Sequence, residues 1–413
     1  MNRRALLAAL GHLSAAAVRG IAADPEFQVN SHTAGAQAIE SSRAVAADGG
    51  GSFVVVWTSK AQDGGGYGIF ARRHASNGAA VGTEFRVNTI TAGDQLHASV
   101  AADESGNFIV AWDGADGAGT GIQAQRFSSD GGALGSEFAV NGYVTYAQKK
   151  PSVAISPGGD FVVVWQSGFQ DDDFEGVFGR RFASSGAALG TDFRINTYTT
   201  GDQLDPRVAF DSSGASLVVW WSDRPGVDED GSDDGVFGQR FSSGGDKLGT
   251  QLRVNSYTTG DQSYPSLAAD GAGGFIVVWQ SLKQDGSADG IFAQRYSGGG
   301  SRSGSEFRVH GYLTGAQRRP DVAQGVNGDF TVAWSGAGEG DGAGIFGRRV
   351  STSGEITGDF RVNSYTTSVQ DLPSVASGAS GTFVVVWRSQ DGDGSGVFGR
   401  ILSTDLIFRD GFE

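Results

Sequence analysis

The sequence predicts an all-β fold, a seven-bladed β-propeller built of four-stranded antiparallel blades, on three observations. Trp57, Trp112, Trp165, Trp220, Trp279, Trp334 and Trp387 recur at successive spacings of 55, 53, 55, 59, 55 and 53 residues. Each period carries four short strand-like pieces separated by Gly, Ser and Asp turn chemistry. The inventory of pieces is offset between the two chain ends, which leaves an orphan edge at each end that a ring would repair. A chain of 413 residues could hold two or three ordinary domains, but a sustained repeat points to one closed array.

The chain begins Met1-Asn2-Arg3-Arg4, continues with a mostly apolar run over residues 5–18, and reaches Ile21-Ala22-Ala23 before Asp24. A basic start, a short apolar centre and small residues at the cut describe a secretory signal peptide over residues 1–23, although His12, Ser14 and Arg19 interrupt the pattern. The mature chain is therefore expected to be secreted or held at the cell surface, with the periplasm as the alternative. No other apolar stretch is long enough to cross a bilayer as a helix. The propeller is assigned to residues 24–401 and a C-terminal tail to residues 402–413.

In the copy spanning residues 252–296, followed by the start of the next period, the four pieces are 265–269, 275–280, 290–296 and 307–309. The first is rich in small residues, as in Ala44-Val45-Ala46-Ala47 and Ser152-Val153-Ala154, which suits the strand nearest the axis where blades converge. The second is apolar at every position, as in Phe161-Val162-Val163-Val164-Trp165, so both of its faces must be covered by neighbouring blades. Burying one large aromatic contributes about 2–3 kcal/mol on area scaling, and seven equivalent Trp residues read as packing rather than as ligand platforms. The first three pieces occur seven times, ending with 372–377, 383–389 and 396–402. No fourth piece follows them. Its counterpart stands at the other end, where Phe27-Gln28-Val29-Asn30 matches Phe85-Arg86-Val87-Asn88 and Phe360-Arg361-Val362-Asn363, so the N-terminal strand is expected to complete the last blade.

Two polar residues recur with the frame. Gln37, Gln95, Gln148, Gln203, Gln262, Gln317 and Gln370 fall in the segment leading into each inner piece, and from the second copy onward each precedes its Trp by 17 residues. A fixed amide at every crossing most simply satisfies loop backbone groups. Asn88, Asn196, Asn255 and Asn363 end their outer strands and read as turn chemistry, with His310 in the sixth place.

Composition removes several function classes. A formal net charge of -15 and a pI near 4.7 lack the basic footprint of nucleic-acid binding or of an anionic membrane surface. With no Cys there is no disulfide, thiolate metal site or Cys nucleophile. Five His residues, His12, His32, His74, His97 and His310, are scattered without metal spacing, and there is no G-x-S-x-G elbow, phosphate loop or sialidase-type Asp-box.

The remaining candidate chemistry lies in the hairpins between the second and third pieces, which are acidic and Gly-rich. Asp228 and Asp230 in the fourth hairpin and Asp391 and Asp393 in the seventh stand at alternate positions in Gly-containing loops, which could wrap a hard cation such as Ca²⁺. The loops lack a complete calcium pattern, and the other reading is solvated hairpin tips that keep an acidic protein soluble. No motif requires a cofactor. The fourth period is also the longest, and it alone carries a second Trp. Trp221, Arg224, Asp228, Asp230, Asp233 and Asp234 therefore form a candidate ligand site, with an indole for a sugar face and carboxylates for its hydroxyls. A tolerated loop insertion is the alternative.

The recurring text F-R-V-N, Q-x-x-P-x-V-A, D-G-x-F-x-V-x-W-x-S, Q-D-G and G-[IV]-F-[AG]-[RQ]-R resembles tandem repeats of secreted and cell-surface proteins of Gram-negative bacteria, over residues 26–401. That resemblance implies an exported propeller or scaffold, in some cases with calcium sites. The ending Ile407-Phe408-Arg409-Asp410-Gly411-Phe412-Glu413 is similar to a short C-terminal motif of such proteins. The functional expectation is a monomeric binding or scaffold module for a protein or glycan. The alternative is a propeller-fold glycosidase or lyase using loop carboxylates.

Overall fold

The structure is a computed structural model that describes residues 25–41, 43–117, 119–223, 234–325, 328–338, 341–352, 354, 357–378, 381–392 and 394–403. The predicted leader at 1–23, residues 404–413 of the predicted tail, and Arg224, Asp228, Asp230, Asp233 and Asp393 lie outside these residues. No α-helix occurs among the described residues.

Seven antiparallel sheets form the ring, each running from an inner strand at the axis to an outer strand at the rim. Blade 3 shows the pattern in its strands Gln148–Ile155, Phe161–Gly168, Glu175–Phe182 and Phe193–Arg194. Blade 7 takes its three inner strands, Asp371–Ser377, Thr382–Gln390 and Ser395–Ser403, from the C-terminal end and its outer strand, Phe27–Gln28, from the N-terminal end. Phe27 lies opposite Gly399 and Gln28 opposite Phe398 in that pairing. The chain is a seven-bladed β-propeller closed by its N-terminal strand.

The continuous apolar run of each second strand is explained by where its two faces go. Along Phe161–Gly168, Phe161, Val163 and Trp165 pack with Ile109 and Ala111 of blade 2. Val162 and Val164 face the other way, against Val208, Val218 and Trp220 of blade 4. The core thus lies between blades rather than within them. All seven repeated Trp side chains are at most 1% exposed, and the indole Nε1 of Trp165 is buried with no hydrogen-bond partner among the described residues. The Trp works as volume.

Repeated polar contacts lock neighbouring blades together. The acidic residue before each outer Phe accepts a backbone N–H from the preceding blade at 2.5 to 2.8 Å, through Glu84, Glu137, Asp192, Glu306, Asp359 and Glu26, with Gln251 in the same role for blade 4. The Glu26 contact, to Ser364 N, binds the N-terminal strand to blade 6. The last Arg of the third strand reaches the opposite way. Arg126 donates to Ser185 O at 2.6 Å, Arg181 to Ser243 O at 2.7 Å and Arg295 to Thr352 O at 3.0 Å, each in the next blade.

The conserved amides form one buried unit per blade. In blade 3, Asn196 Oδ1 accepts from Val177 N at 2.9 Å, and its Nδ2 donates to Tyr198 O and to Gln203 Oε1, both at 2.8 Å. Gln203 Nε2 in turn donates to Thr200 O at 3.1 Å. In blade 5 the place of Asn is taken by His310, whose Nδ1 accepts from Ile291 N at 2.9 Å and whose Nε2 lies 2.8 Å from Asp285.

Two sequence expectations are corrected. In six blades the recurring Gln lies at the start of the inner strand rather than in the loop before it, as in Gln262–Ala269, while Gln370 stands just ahead of Asp371–Ser377 as expected. Pro265 reads as a strand start because it has no N–H for the ladder, yet the strand passes through it by a register shift between Ser263 and Ser266. Three outer strands, Ala80–Arg86, Lys247–Arg253 and Arg302–Arg308, extend well ahead of the expected piece, and each likewise passes a register shift in its partner strand.

Candidate functional site

The same register shift builds the site. Two residues after the repeated Gln, the inner strand places one residue in the left-handed region: His97 at φ 52°, Lys150 at 52°, Asp205 at 49°, Tyr264 at 52°, Arg319 at 54° and Leu372 at 52°. A non-glycine residue there costs about 1–2 kcal/mol, so six such positions in register mark a built feature. Each is followed by Pro, or by Ala98 in blade 2, and the residue before the shift resumes pairing three positions later, as from Leu204 to Arg207. Their side chains line the mouth of the central channel.

Blade 1 departs from this scheme. Its Gln37 precedes Trp57 by 20 residues rather than 17, and the inner strand is split into Gln37–Ala38 and Val45–Ala47. The longer connection supplies two channel residues. Glu40 takes the blade 1 place in the mouth, where its Oε2 accepts from Thr58 Oγ1 at 2.9 Å and from His97 N at 3.0 Å. Arg43 crosses the channel and donates through Nη2 to Val208 O of blade 4 at 3.2 Å and Leu267 O of blade 5 at 2.9 Å. Burial pulls the Arg43 guanidinium below its ordinary value, with Asp321 opposing. This arginine closes the channel under the mouth.

The resulting cavity has a volume of about 280 Å³ and is lined by Glu40, His97, Lys150, Asp205, Arg207, Tyr264, Arg319 and Leu372 with the adjoining Pro265, Pro320 and Pro373. All seven blades contribute to it. Three other cavities, of about 200, 260 and 180 Å³, lie in grooves between adjacent blades and are lined by two blades each.

A second tier, the residue after the core Trp in blades 1 to 5, holds mouth residues in place. Asp113 accepts from Lys150 N at 2.9 Å, Gln166 from Asp205 N at 3.2 Å and Gln280 from Arg319 N at 3.3 Å. Asp113 also lies 2.8 Å from His97 Nδ1. Burial of His97 disfavours its charged form, but the hydrogen bond to Asp113 and the charges of Asp113 and Glu40 outweigh burial and raise its pKa. Asp205 is buried, which would raise its pKa; Lys150 at 2.8 Å and Arg207 outweigh this and hold it below the ordinary carboxylate range. Across the cavity the Arg319 guanidinium lies 3.6 Å from the centre of the Tyr264 ring. Tyr264 itself leans on Trp221 at 5.7 Å between centroids.

Trp221 therefore belongs to this second tier. It sits on the strand Ser216–Asp223 immediately after Trp220, is half-buried, and donates from Nε1 to Asp205 Oδ2 at 3.2 Å. It is brought to the channel wall. Asp234, its predicted companion, accepts a hydrogen bond from Gln262 N through its backbone oxygen at 2.9 Å. The other companions, Arg224, Asp228, Asp230 and Asp233, lie outside the described residues, as does Asp393. Asp391 packs over its own hairpin: a Cβ on Gly396 would come within 2.7 Å of its Oδ2. Asp63 over Gly68 and Asp171 over Gly176 repeat this close approach, which only Gly permits. Among the described residues no group of three or more His, Asp or Glu side chains could hold a metal ion.

The mouth opens on the face that carries the second-to-third-strand hairpins. Nine of the exposed large hydrophobic residues lie in the loops of that face: Ile90, Val144, Tyr146, Phe169, Phe174, Tyr312, Leu313, Tyr365 and Val369. Tyr146, Phe169 and Phe174 form a chain of ring contacts at 5.0 and 6.1 Å on blade 3. The channel-mouth residues escaped the sequence reading, although a signal was present. Two positions after a Gln that never varies, the residue differs in every blade.

No family model and no curated protein sequence matches the chain. Solved structures do match in fold. A polysaccharide lyase, an ulvan lyase, superposes with a TM-score of 0.57 at 9% identity, over 91% of this chain and 95% of its own. An α-L-arabinanase of Penicillium chrysogenum, solved with arabinobiose, gives 0.54 at 12% identity over 76% and 94%. A protein of unknown function from Dyadobacter fermentans gives 0.54 at 10% identity over 75% and 94%. These similarities concern the propeller fold.

Proposed function

We propose that this chain is an exported propeller that binds a glycan at the mouth of its central channel. One observation carries the reading. The framework repeats from blade to blade, with Trp in every second strand and Gln at or just before the start of every inner strand, while the mouth shows Glu, His, Lys, Asp, Tyr, Arg and Leu in turn. Seven copies that keep their packing and diverge at one ring have been specialised at that ring. The volume lies near the lower end of the roughly 300–1,000 Å³ of small-molecule sites, and Tyr264, backed by Trp221, supplies aromatic surface for sugar C–H groups. Export rests on the leader pattern of residues 1–23.

The test is a glycan array followed by calorimetry with Tyr264→Ala. Loss of most of the binding, with the thermal midpoint unchanged, supports the reading. Glycan binding that is indifferent to Tyr264→Ala and to His97→Ala would place the ligand elsewhere.

A second reading, carbohydrate cleavage at the same mouth, is favoured by His97, a proton-carrying group held by Asp113 beside Glu40. The names of the matching lyase and arabinanase lean the same way. Release of new reducing ends from a polysaccharide panel, abolished in His97→Gln, would establish it.

A further inference from the structure

We infer that the sugar seated in the channel mouth is anionic, bearing a carboxylate or sulfate group received by Arg319. This deepens the glycan-binding reading and rests on it. The whole chain carries a net charge of -15, yet the cavity lining holds Lys150, Arg207 and Arg319 against only Glu40 and Asp205. The two acids are already engaged. Glu40 receives Thr58 Oγ1 and His97 N, and Asp205 receives Lys150 and Trp221.

Arg319 differs from its neighbours in having been given no acid. The adjacent Arg318 is paired to Asp289 at 2.6 Å, and Arg348, Arg349 and Arg388 each have their own Asp. Arg319 is exposed, has no carboxylate within ion-pair distance among the described residues, and lies flat on Tyr264. A stacked guanidinium keeps the N–H groups along its edge available, and two of them match the two oxygens of a planar carboxylate or of a sulfate. The aromatic ring fixes the plane of the fork without using its donors.

The charge balance also limits the ligand. Outside the mouth the acidic chain repels a dense polyanion over about 10 Å at ordinary salt, so a glycan with isolated acidic residues suits the site better than a heavily sulfated one. An acidic peptide could satisfy Arg319, but it would leave unused the aromatic surface that Tyr264 places in the mouth wall.

The experiment is titration calorimetry of the full chain with a panel of acidic oligosaccharides, comprising oligogalacturonate, a sialylated trisaccharide and a singly sulfated galactobiose. Each is paired with its methyl ester or its neutral parent, and oligoglutamate is the peptide arm. Binding of at least one acidic member about 10- to 100-fold tighter than its neutral partner is expected. Arg319→Gln should remove that difference, Arg319→Lys should restore part of it, and Arg318→Gln should leave it intact. Which member binds separates carboxylate from sulfate.

Equal binding of acidic and neutral partners, or acid binding unchanged in Arg319→Gln, overturns the anionic inference. If Tyr264→Ala still weakens the neutral sugar in that case, glycan binding at the mouth stands without it. Binding of oligoglutamate through Arg319 with no sugar bound overturns both readings, as does a panel in which no glycan depends on Tyr264 or Arg319.

Discussion

The blade framework and the channel mouth are made by the same strands and obey opposite rules. In the framework, Trp165 is fully buried and Asn196 has every polar atom matched; the Trp repeats in every blade, and the Asn and its contacts repeat in every blade but the fifth, where His310 stands. Two residues into the inner strand the repetition stops. The backbone there is still identical, in the left-handed region at φ 49–54° in six blades, but the side chains differ. A strained conformation kept six times while its side chains vary teaches that the backbone geometry serves to aim whatever residue stands there. Framework substitutions should therefore change stability and spare binding, and mouth substitutions should do the reverse.

The largest expected break in that comparison is Trp165→Ala, which should destabilise by about 3–5 kcal/mol through the cavity between blades 2 and 3. Trp165→Phe should cost clearly less, because the indole N–H makes no hydrogen bond that would be lost. Denaturant unfolding of the two variants checks this, and an equal loss in both would show that the indole is held by something other than packing.

Asn196→Ala should follow at about 2–3 kcal/mol. It leaves Val177 N and Gln203 Oε1 buried without their partner. Ligand binding at the mouth should survive at temperatures where the variant is folded.

Leu372→Gly should move stability the other way, by up to about 1 kcal/mol of gain, since glycine removes the strain of φ 52°. A loss there would mean that the Leu side chain contributes more packing at the mouth than its half-exposed position indicates.

The smallest effect sharpens the framework side. His310 occupies an Asn place and accepts from Ile291 N through Nδ1, so a second proton would set two donors against each other. Burial lowers its pKa from 6.5, opposed by Asp285. A His with a depressed folded pKa loses stability as pH falls below the unfolded value, here about 6.5. His310→Asn should thus match the parent at pH 8 and become the more stable protein below about pH 6.5, as read by thermal midpoints across pH. His97 has the opposite sign. Its raised pKa contributes stability below about 6.5 that is lost as pH rises through the folded value, so His97→Gln should be the weaker protein only in acid.

The ring was legible because its signals are local and repeated. Seven Trp residues at near-equal spacing, the turn clusters between strands, and Phe27-Gln28-Val29-Asn30 standing where a fourth strand was missing each required only a short window of sequence. The acidic residue at Glu26, Glu84 and Glu137 was visible but not interpretable, because its partner is a backbone N–H about fifty residues away in most blades and on the far side of the chain for Glu26.

The site was less legible. Trp221 was singled out as the one Trp outside the repeated set, and the structure sets it beside the channel wall against Asp205 and Tyr264. Its sequence neighbours in the fourth hairpin suggested a cation or sugar loop, whereas its spatial neighbours come from the inner strands of blades 4 and 5.

The sequence by itself determined the number of blades, the strand order within them and the closing strand, since each follows from period, alternation and the buried faces of short segments. Only the tertiary structure decided that Glu40, His97, Lys150, Asp205, Tyr264, Arg319 and Leu372 share one cavity, and that three extra residues before Trp57 carry Arg43 across the channel. The physical reason is the ring. Closure brings together residues more than three hundred positions apart in the chain, and no local periodicity records which of them meet at the axis.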